Sequence, residues 1–542
     1  MIPVLLFLAS AAFVVWRNLE VGVLVDIAYI LNTATRIAAG DVPYAHFPLA
    51  QAPGEFLIQA ALVKAFGPHF VVQIAYVATL GGLATAMTFV IARRLLRDAV
   101  AAPTLVAAVL AVPLIPLGVY AVYPHPFYDS DACVLVLAAI VAVLVARDQP
   151  TPPRWTIAGV LLTLPLFMKQ NIGGAFLFLM LGALAVEAVA RPSTRRGFRW
   201  CAGAAVVALA LEVGVLQLIV GVDKYLEWAW TFALAGRGVS AQRIRAFVDP
   251  AILFPGAVLL ALVAVAQRLS PNTRTVASLG GFALLLFWVV LTPALLIAAP
   301  LFFPPILLAA CALAVVRALR DGLSFETLLP LVMTGTILGT LQSLGLIDSA
   351  FGIFPLLVVA TASLVRDLAR FVGRPSRIAP FAGVAVAALL TIAGTRYTLD
   401  NVRLLFVDVN AAGGVHRSSF SSLIGLSARG PYTGELDAML GWARDNVPAD
   451  DPVVFLPGED PAYFALARRP PLPSVYFYDV ATPYTPEELA RFADAARVRW
   501  VVVKDRLQLR EEPPRVKALT ALLTERAALV AQIGPYRVFR RS

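Results

Sequence analysis

For most of its length the chain repeats one pattern: long apolar runs broken by short polar or arginine-bearing connections. Runs such as Leu105 to Val119, Ala132 to Ala146 and Ala251 to Ala266, counted with their flanks, reach the ~20 residues that a helix needs to cross a bilayer core of about 30 Å. Backbone amides in lipid must be satisfied within their own segment, which makes helices the expected elements. The alternation of a membrane β-barrel is absent. The pattern predicts spanning helices at 2–16, 70–92, 100–122, 131–147, 155–168, 172–190, 201–221, 250–267, 276–297, 300–317, 326–345, 350–365 and 379–396. From Ala428 the pattern becomes that of an α/β module. Helices are expected over Asp437 to Asn446, Pro486 to Ala496 and Val516 to Leu529, with strands at Pro452 to Pro457, Val498 to Val503 and Tyr536 to Arg540. The expected fold class is therefore a polytopic α-helical membrane protein of about 13 transmembrane helices (1–397) with a small α/β C-terminal domain (398–542).

Composition agrees with this. Hydrophobic residues make up 59% of the 542, and charged ones only 14%, against roughly 25% in a soluble domain. The net charge of +10 would suggest a nucleic-acid partner in a soluble protein, but here its distribution reads as topology, and no nucleic-acid binding is expected. Alternate connections are rich in arginine: Arg93, Arg94 and Arg97; Arg147 and Arg154; Arg191, Arg195, Arg196 and Arg199; Arg268 and Arg274; Arg317 and Arg320; Arg366, Arg370, Arg374 and Arg377. By the positive-inside rule these lie in the cytoplasm, which leaves the tail outside. The first helix is read as an uncleaved anchor, because no basic segment precedes it. Pro300, Pro304 and Pro305 leave open a broken hairpin in place of a helix pair. Cys133, Cys201 and Cys311 sit in apolar runs, and the four histidines are scattered, so neither a disulfide framework nor a thiolate metal site is implied.

Chemistry concentrates in the outer connections. The first, Arg17 to His69, is long enough to carry function. It holds Asp26, an apolar helix over Ile27 to Ile37 expected at the membrane surface, then Gly40-Asp41-Val42-Pro43-Tyr44 and Gln51-Ala52-Pro53-Gly54-Glu55-Phe56. Asp26 is either a reactive carboxylate or a cap for the helix that follows. In the second outer connection, Asp129 and Asp131 stand at a helix mouth, where a charged group must face a cavity or water; Asp131 also suits an N-cap. Lys169, beside Gln170 and Asn171, either snorkels or pairs with a phosphate or one of those acids. The connection Val222 to Asp249 interleaves Lys224, Arg237, Arg243 and Arg245 with Trp228, Trp230, Phe232 and Phe247, which suits phosphate oxygens or anionic headgroups. Asp348 marks another outer connection.

These pieces together resemble a known family. An acidic residue after the first helix, Gly40-x-x-Pro43-Tyr44, Pro53-Gly54 and aromatics, the Phe167-Met168-Lys169-Gln170-Asn171 stretch, Ala428-Arg429-Gly430-Pro431-Tyr432 and Trp442-x-x-x-Asn446-x-Pro448 are similar to the GT-C membrane glycosyltransferases. The bacterial branch of protein mannosyltransferases and aminoarabinose transferases is the one resembled. One departure is that Asp26 is followed by Ile27, where the family often has Asp-Glu. The resemblance implies a multi-pass protein of the bacterial inner membrane. It would transfer a sugar, with inversion, from a polyprenyl-phosphate donor to a glycan, lipid or protein hydroxyl outside the cytoplasm. It also implies Asp26 as base, Asp129 and Asp131 as acceptor or metal ligands (Mg or Mn being a possible cofactor), and Lys169, Arg237, Arg243 and Arg245 around the donor phosphate. Membrane lipids are the remaining expected partners. A transporter or flippase of lipid-linked sugars and a non-catalytic envelope scaffold are the alternatives; no clear internal repeat favours the former.

Overall fold

The computed structural model describes residues 1–18, 25–236, 299–343, 350–372, 378–399, 413–478, 482–507 and 512–542, with a few isolated positions between them. Arg237, Arg243, Arg245 and Asp348 lie outside the described residues, as do the expected segment 276–297 and nearly all of 250–267. Ten helices open the chain: α1 Ile2–Asn18, α2 Val25–Ala38, α3 Gly54–Phe66, α4 Phe70–Leu96, α5 Pro103–Ala111, α6 Leu114–Leu117, α7 Tyr128–Asp148, α8 Pro152–Met168, α9 Gln170–Ala190 and α10 Arg195–Ile219. The helices Phe303–Asp321, Phe325–Leu341, Phe354–Val372 and Ile378–Leu399 complete the described bundle. Among the described residues, six stretches are long and apolar enough to cross a membrane: Phe70–Leu96, Tyr128–Asp148, Gln170–Ala190, Pro192–Ile219, Ala299–Asp321 and Ala379–Thr398.

Prolines act differently at two places. The run 100–122 is not one helix: α5 ends at Ala111, and α6 is a single turn that starts after Pro113 and contains Pro116. Proline has no N–H to give and crowds the preceding turn, which breaks the helix there. At Pro304 and Pro305, by contrast, the prolines occupy the first turn of a continuous helix, where a missing N–H costs nothing. Close helix contact is bought by small residues. A Cβ on Gly82 of α4 would stand 2.6 Å from the Phe7 ring of α1, and Ser10 of α1 donates to Thr85 of α4 at 2.9 Å.

The bundle has two chemically different ends. At one, several arginines of the basic connections are paired with buried or half-exposed acids. Arg94 meets Asp148, and Arg147 meets Glu187, which also accepts from the Phe325 amide at 3.0 Å. Arg317 and Arg366 converge on the buried Asp367 at 2.5 and 2.7 Å. At the other end lie the starts of α4 and α7, the junction of α8 with α9, and the C-terminal tail.

The tail is a four-stranded sheet in the order β3-β4-β6-β5, from β3 Val453–Leu456, β4 Trp500–Lys504, β5 Ala527–Ile533 and β6 Tyr536–Arg541. β3 and β4 are parallel and the other pairs antiparallel. Helices Tyr432–Asn446, Pro486–Ala495 and Pro514–Thr524 cover it. The expected helix to Leu529 stops at Thr524, because the next residues form β5 as an edge hairpin with β6. A short ribbon of β1 Val415–Arg417 and β2 Ser427–Arg429 precedes the sheet.

The tail is joined to the membrane module by one apolar core. Ile27, Leu31, Val63, Phe70 and Ile74 from α2, α3 and α4 pack with Phe420, Leu423, Tyr432, Tyr463 and Phe464. This corrects the reading of α2 as a helix lying at the membrane surface. It is buried from Ile27 to Arg36 on most of its positions, between α3 and the tail.

Candidate active site

Four helix ends and the tail build the site. α2 presents Asp26, Tyr29, Asn32 and Arg36 at spacings of three and four, which places them along one stripe. The lower stripe is fixed to the tail. Asn32 Nδ2 donates to the Asp460 carbonyl at 2.9 Å, and Asn32 Oδ1 accepts from the Phe464 amide at 3.1 Å. Arg36 donates to the Leu472 carbonyl at 2.5 Å and to Asp41 at 2.6 Å, while Arg469 of the tail closes on the same Asp41. Burial pushes Asp41 up, but Arg469 and Arg36 outweigh it and hold this carboxyl below its ordinary value.

The upper stripe stays accessible. Asp26 is exposed in the first turn of α2, inside the helix and not at its cap, where a carboxylate also suits the helix dipole. Its charge acts on the phenol of Tyr476 from the tail. A run of rings leads from there into the membrane module. Tyr476 lies 6.4 Å from Tyr29, Tyr29 5.6 Å from Phe56, and Phe56 6.5 Å from Tyr128. Tyr29 donates to Gln51 at 2.9 Å, and the Ala52 amide donates to Gln170 at 3.1 Å, so the expected Gln51–Phe56 motif and Lys169–Asn171 stretch meet.

At the far end of this run is Lys169, between α8 and α9. Its ammonium stands 4.0 Å over the Tyr128 ring, 3.4 Å from Asp129 and 3.3 Å from the Ser343 hydroxyl, with both charged side chains almost buried (7% and 6% exposed). Of the partners expected for Lys169, the structure places the acid Asp129 beside it. A lysine held by a carboxylate, a hydroxyl and a ring face has its donors fixed in direction.

Asp129 and Asp131 do not share their surroundings. Two residues apart on a helix, they point to different sides of α7. Asp131 turns into the bundle and takes hydrogen bonds from the phenols of Tyr76 and Tyr120. The pair therefore does not fit a shared divalent metal, and among the described residues no group of three or more His, Cys, Asp or Glu is placed to hold one. His125 is buried and neutral, its imidazole pushed down to about 3 by desolvation.

Neither a scan against protein-family models nor a search of curated proteins returns a match. Solved structures do. ArnT from Cupriavidus metallidurans bound to undecaprenyl phosphate matches at 15% identity and a TM-score of 0.45, over 99% of this chain and 97% of that one. ArnT in the apo state matches at 13% and 0.44 over the same shares. The archaeal oligosaccharyltransferase AglB from Archaeoglobus fulgidus, in complex with an inhibitory peptide and a dolichol-phosphate, matches at 13% and 0.43, over 93% of this chain and 69% of that one. At these identities no ligand and no residue role carries over from them.

Of the residues singled out from the sequence, the structure brings Asp129 and Lys169 into contact. It sets Asp26 at the other end of the same aromatic run and removes Asp131 to a neighbouring cluster. Sequence reasoning missed Tyr29, Tyr476 and Asn32, and it quoted Glu55 without giving it a role. The polar stripe of α2 was the available signal for Tyr29 and Asn32. Nothing local marks Tyr476, whose part depends on the tail folding back over 400 residues.

Proposed function

We propose that this chain is an inverting glycosyltransferase of the bacterial inner membrane. It would move a sugar from a polyprenyl-phosphate donor to a hydroxyl of a cell-envelope glycan, lipid or protein on the tail-bearing face. The observation that carries this reading is the nearly buried Lys169–Asp129 pair at one end of an aromatic run whose other end is the exposed Asp26. The pairing of the arginine-rich connections at the opposite end supports a cytoplasmic place for that end and an extracytoplasmic one for the site.

In this reaction the acceptor oxygen attacks the anomeric carbon from the face opposite the phosphate. The bond from that carbon to the phosphate oxygen breaks, and its electron pair leaves with the polyprenyl phosphate. Asp26 takes the acceptor's proton as general base. Lys169 stabilises the charge on the leaving phosphate, its contact with Ser343 being the one a phosphate oxygen would replace. Asp129 holds Lys169 charged and in place. Arg237, Arg243 and Arg245 are proposed as further phosphate contacts.

The test is transfer from radiolabelled polyprenyl-phosphate sugars by the purified wild type and the Asp26→Asn variant. A covalently labelled acceptor from the wild type, with the variant slower by about 10²–10⁴, supports the reading. Equal rates remove Asp26 as the base. Translocation without transfer replaces the whole reading with a transporter.

A further inference from the structure

At the carboxyl ends of the tail's two parallel strands lies a charged cluster that the reaction above does not use. Such strand ends are where α/β modules place functional groups. Glu459 and Asp460 lie in the segment that follows β3, and Lys504 is the last residue of β4. All three are buried. The Lys504 ammonium stands 3.4 Å from Glu459 and 3.2 Å from Asp460. Three phenols complete the set. Tyr478 donates to Glu459 at 2.6 Å, and Tyr432 and Tyr536 donate to the two oxygens of Asp460 at 3.0 Å each. Every carboxylate oxygen of the pair thus has a donor.

Stability does not account for this cluster. A buried ion pair returns little more than its desolvation costs, and well-packed apolar side chains would hold the same place as firmly. What a fully satisfied buried network supplies is fixed direction. Here the direction leads to the site.

Tyr478 stacks on Tyr476 with ring centres 4.5 Å and planes 27° apart, and Tyr476 lies 6.4 Å from Tyr29 of α2. The backbone takes the same route. The Phe477 amide donates to the Pro457 carbonyl at 3.1 Å. Gly458 has a φ of +90°, and a Cβ there would stand 2.1 Å from the Val475 carbonyl oxygen, so the two segments touch. The Asp460 carbonyl accepts from Asn32, one turn along α2 from Tyr29. The short segment 457–460 therefore grips both partners of the Tyr476–Tyr29 contact. Asp26 stands one turn before Tyr29 on the same stripe.

We propose that Glu459 is a positioning residue for the acceptor end of the transfer site: held by Lys504, it orients Tyr478, which sets the Tyr476 ring against Tyr29 as one wall of that end. The inference rests on the transfer reading above and adds the tail to the site's working parts.

The experiment uses the full chain in nanodiscs with 3-fluorotyrosine in place of Tyr476. The wild type is compared with Glu459→Gln, Glu459→Ala, Tyr478→Phe and the double variant Glu459→Ala/Tyr478→Phe. The fluorine resonance reports the surroundings of the ring. Transfer is read from radiolabelled polyprenyl-phosphate sugars to an extract of bacterial envelope lipids and glycans. Glu459→Ala and Tyr478→Phe should each shift and broaden the resonance. Each should also raise the half-saturating extract concentration about tenfold, with that of the donor unchanged. Glu459→Gln still accepts from Tyr478 and should restore both readouts. The double variant should be no worse than either single one, because both remove the same link. Tyr478→Phe keeps the ring and carries the test if Glu459→Ala does not fold. A fall in maximal rate with half-saturation unchanged is the mark of a purely structural role and overturns the inference. So do additive single effects, a Glu459→Gln variant as altered as Glu459→Ala, or an unmoved resonance in both single variants. A wild type that transfers nothing counts against the transferase reading alone, since the resonance still decides whether Glu459 sets Tyr476.

Discussion

Replacing Lys169 and Asp129 singly and together separates a structural ion pair from a functional one. The two groups are 3.4 Å apart and nearly excluded from solvent. At that distance, with an effective dielectric of 20, their attraction is roughly 5 kcal/mol. Most of it offsets the cost of burying two ions, so the pair as a whole contributes little net stability. Removing one partner is different, because the other buried charge then loses its contact at 3.4 Å while its burial cost remains. Lys169→Met or Asp129→Leu alone should therefore cost about 3–5 kcal/mol, and the double variant should recover most of that. Reversible unfolding in mixed detergent micelles measures the four corners of the cycle. Transfer from radiolabelled polyprenyl-phosphate sugars is read on the same preparations. If Lys169 stabilises the leaving phosphate, the double variant stays folded and is slower by about 10²–10³. Recovery of transfer along with stability would show that the pair only packs the helix ends and would refute a part for Lys169 in the chemistry.

Three other outcomes are expected. Asn32→Ala leaves the Asp460 carbonyl and Phe464 amide without their buried partner, costing about 2–4 kcal/mol; faster limited proteolysis of the tail measures it, and an unchanged rate would show that the apolar core alone holds the tail. Asp41 sits below its ordinary 3.8 because Arg469 and Arg36 outweigh its burial, so its contribution to docking is full above that value and is lost as pH falls through the folded one. Acid titration of tail docking should thus show a step that Asp41→Asn abolishes, and a step that survives the substitution would place the titration elsewhere. Asp26→Asn should leave the melting temperature within about 1 °C, since an exposed side chain carries little stability; a large fall would mean that Asp26 supports the fold.

The membrane architecture was legible in the sequence because burial in lipid demands long apolar runs whatever the tertiary contacts, and because arginine placement follows topology. The tail's β3, β4 and β6 were equally legible, being short apolar runs between clear breaks. The errors came where local pattern met tertiary competition. Leu529 continues a helical period but is drawn into β5 by pairing with Phe539. The apolar face of α2 fits a membrane surface as well as a protein core, and only the tail's presence decides between them. For the site, residue type and position singled out Asp26, Asp129 and Lys169 as candidates. What only the tertiary structure decided was partnership: Asp129 with Lys169, Asp131 with two phenols, Tyr476 beside Tyr29. Carboxylates two residues apart look alike in sequence, but the helix turns them to opposite surroundings, and charge in a protein acquires its role from what stands within a few ångströms of it.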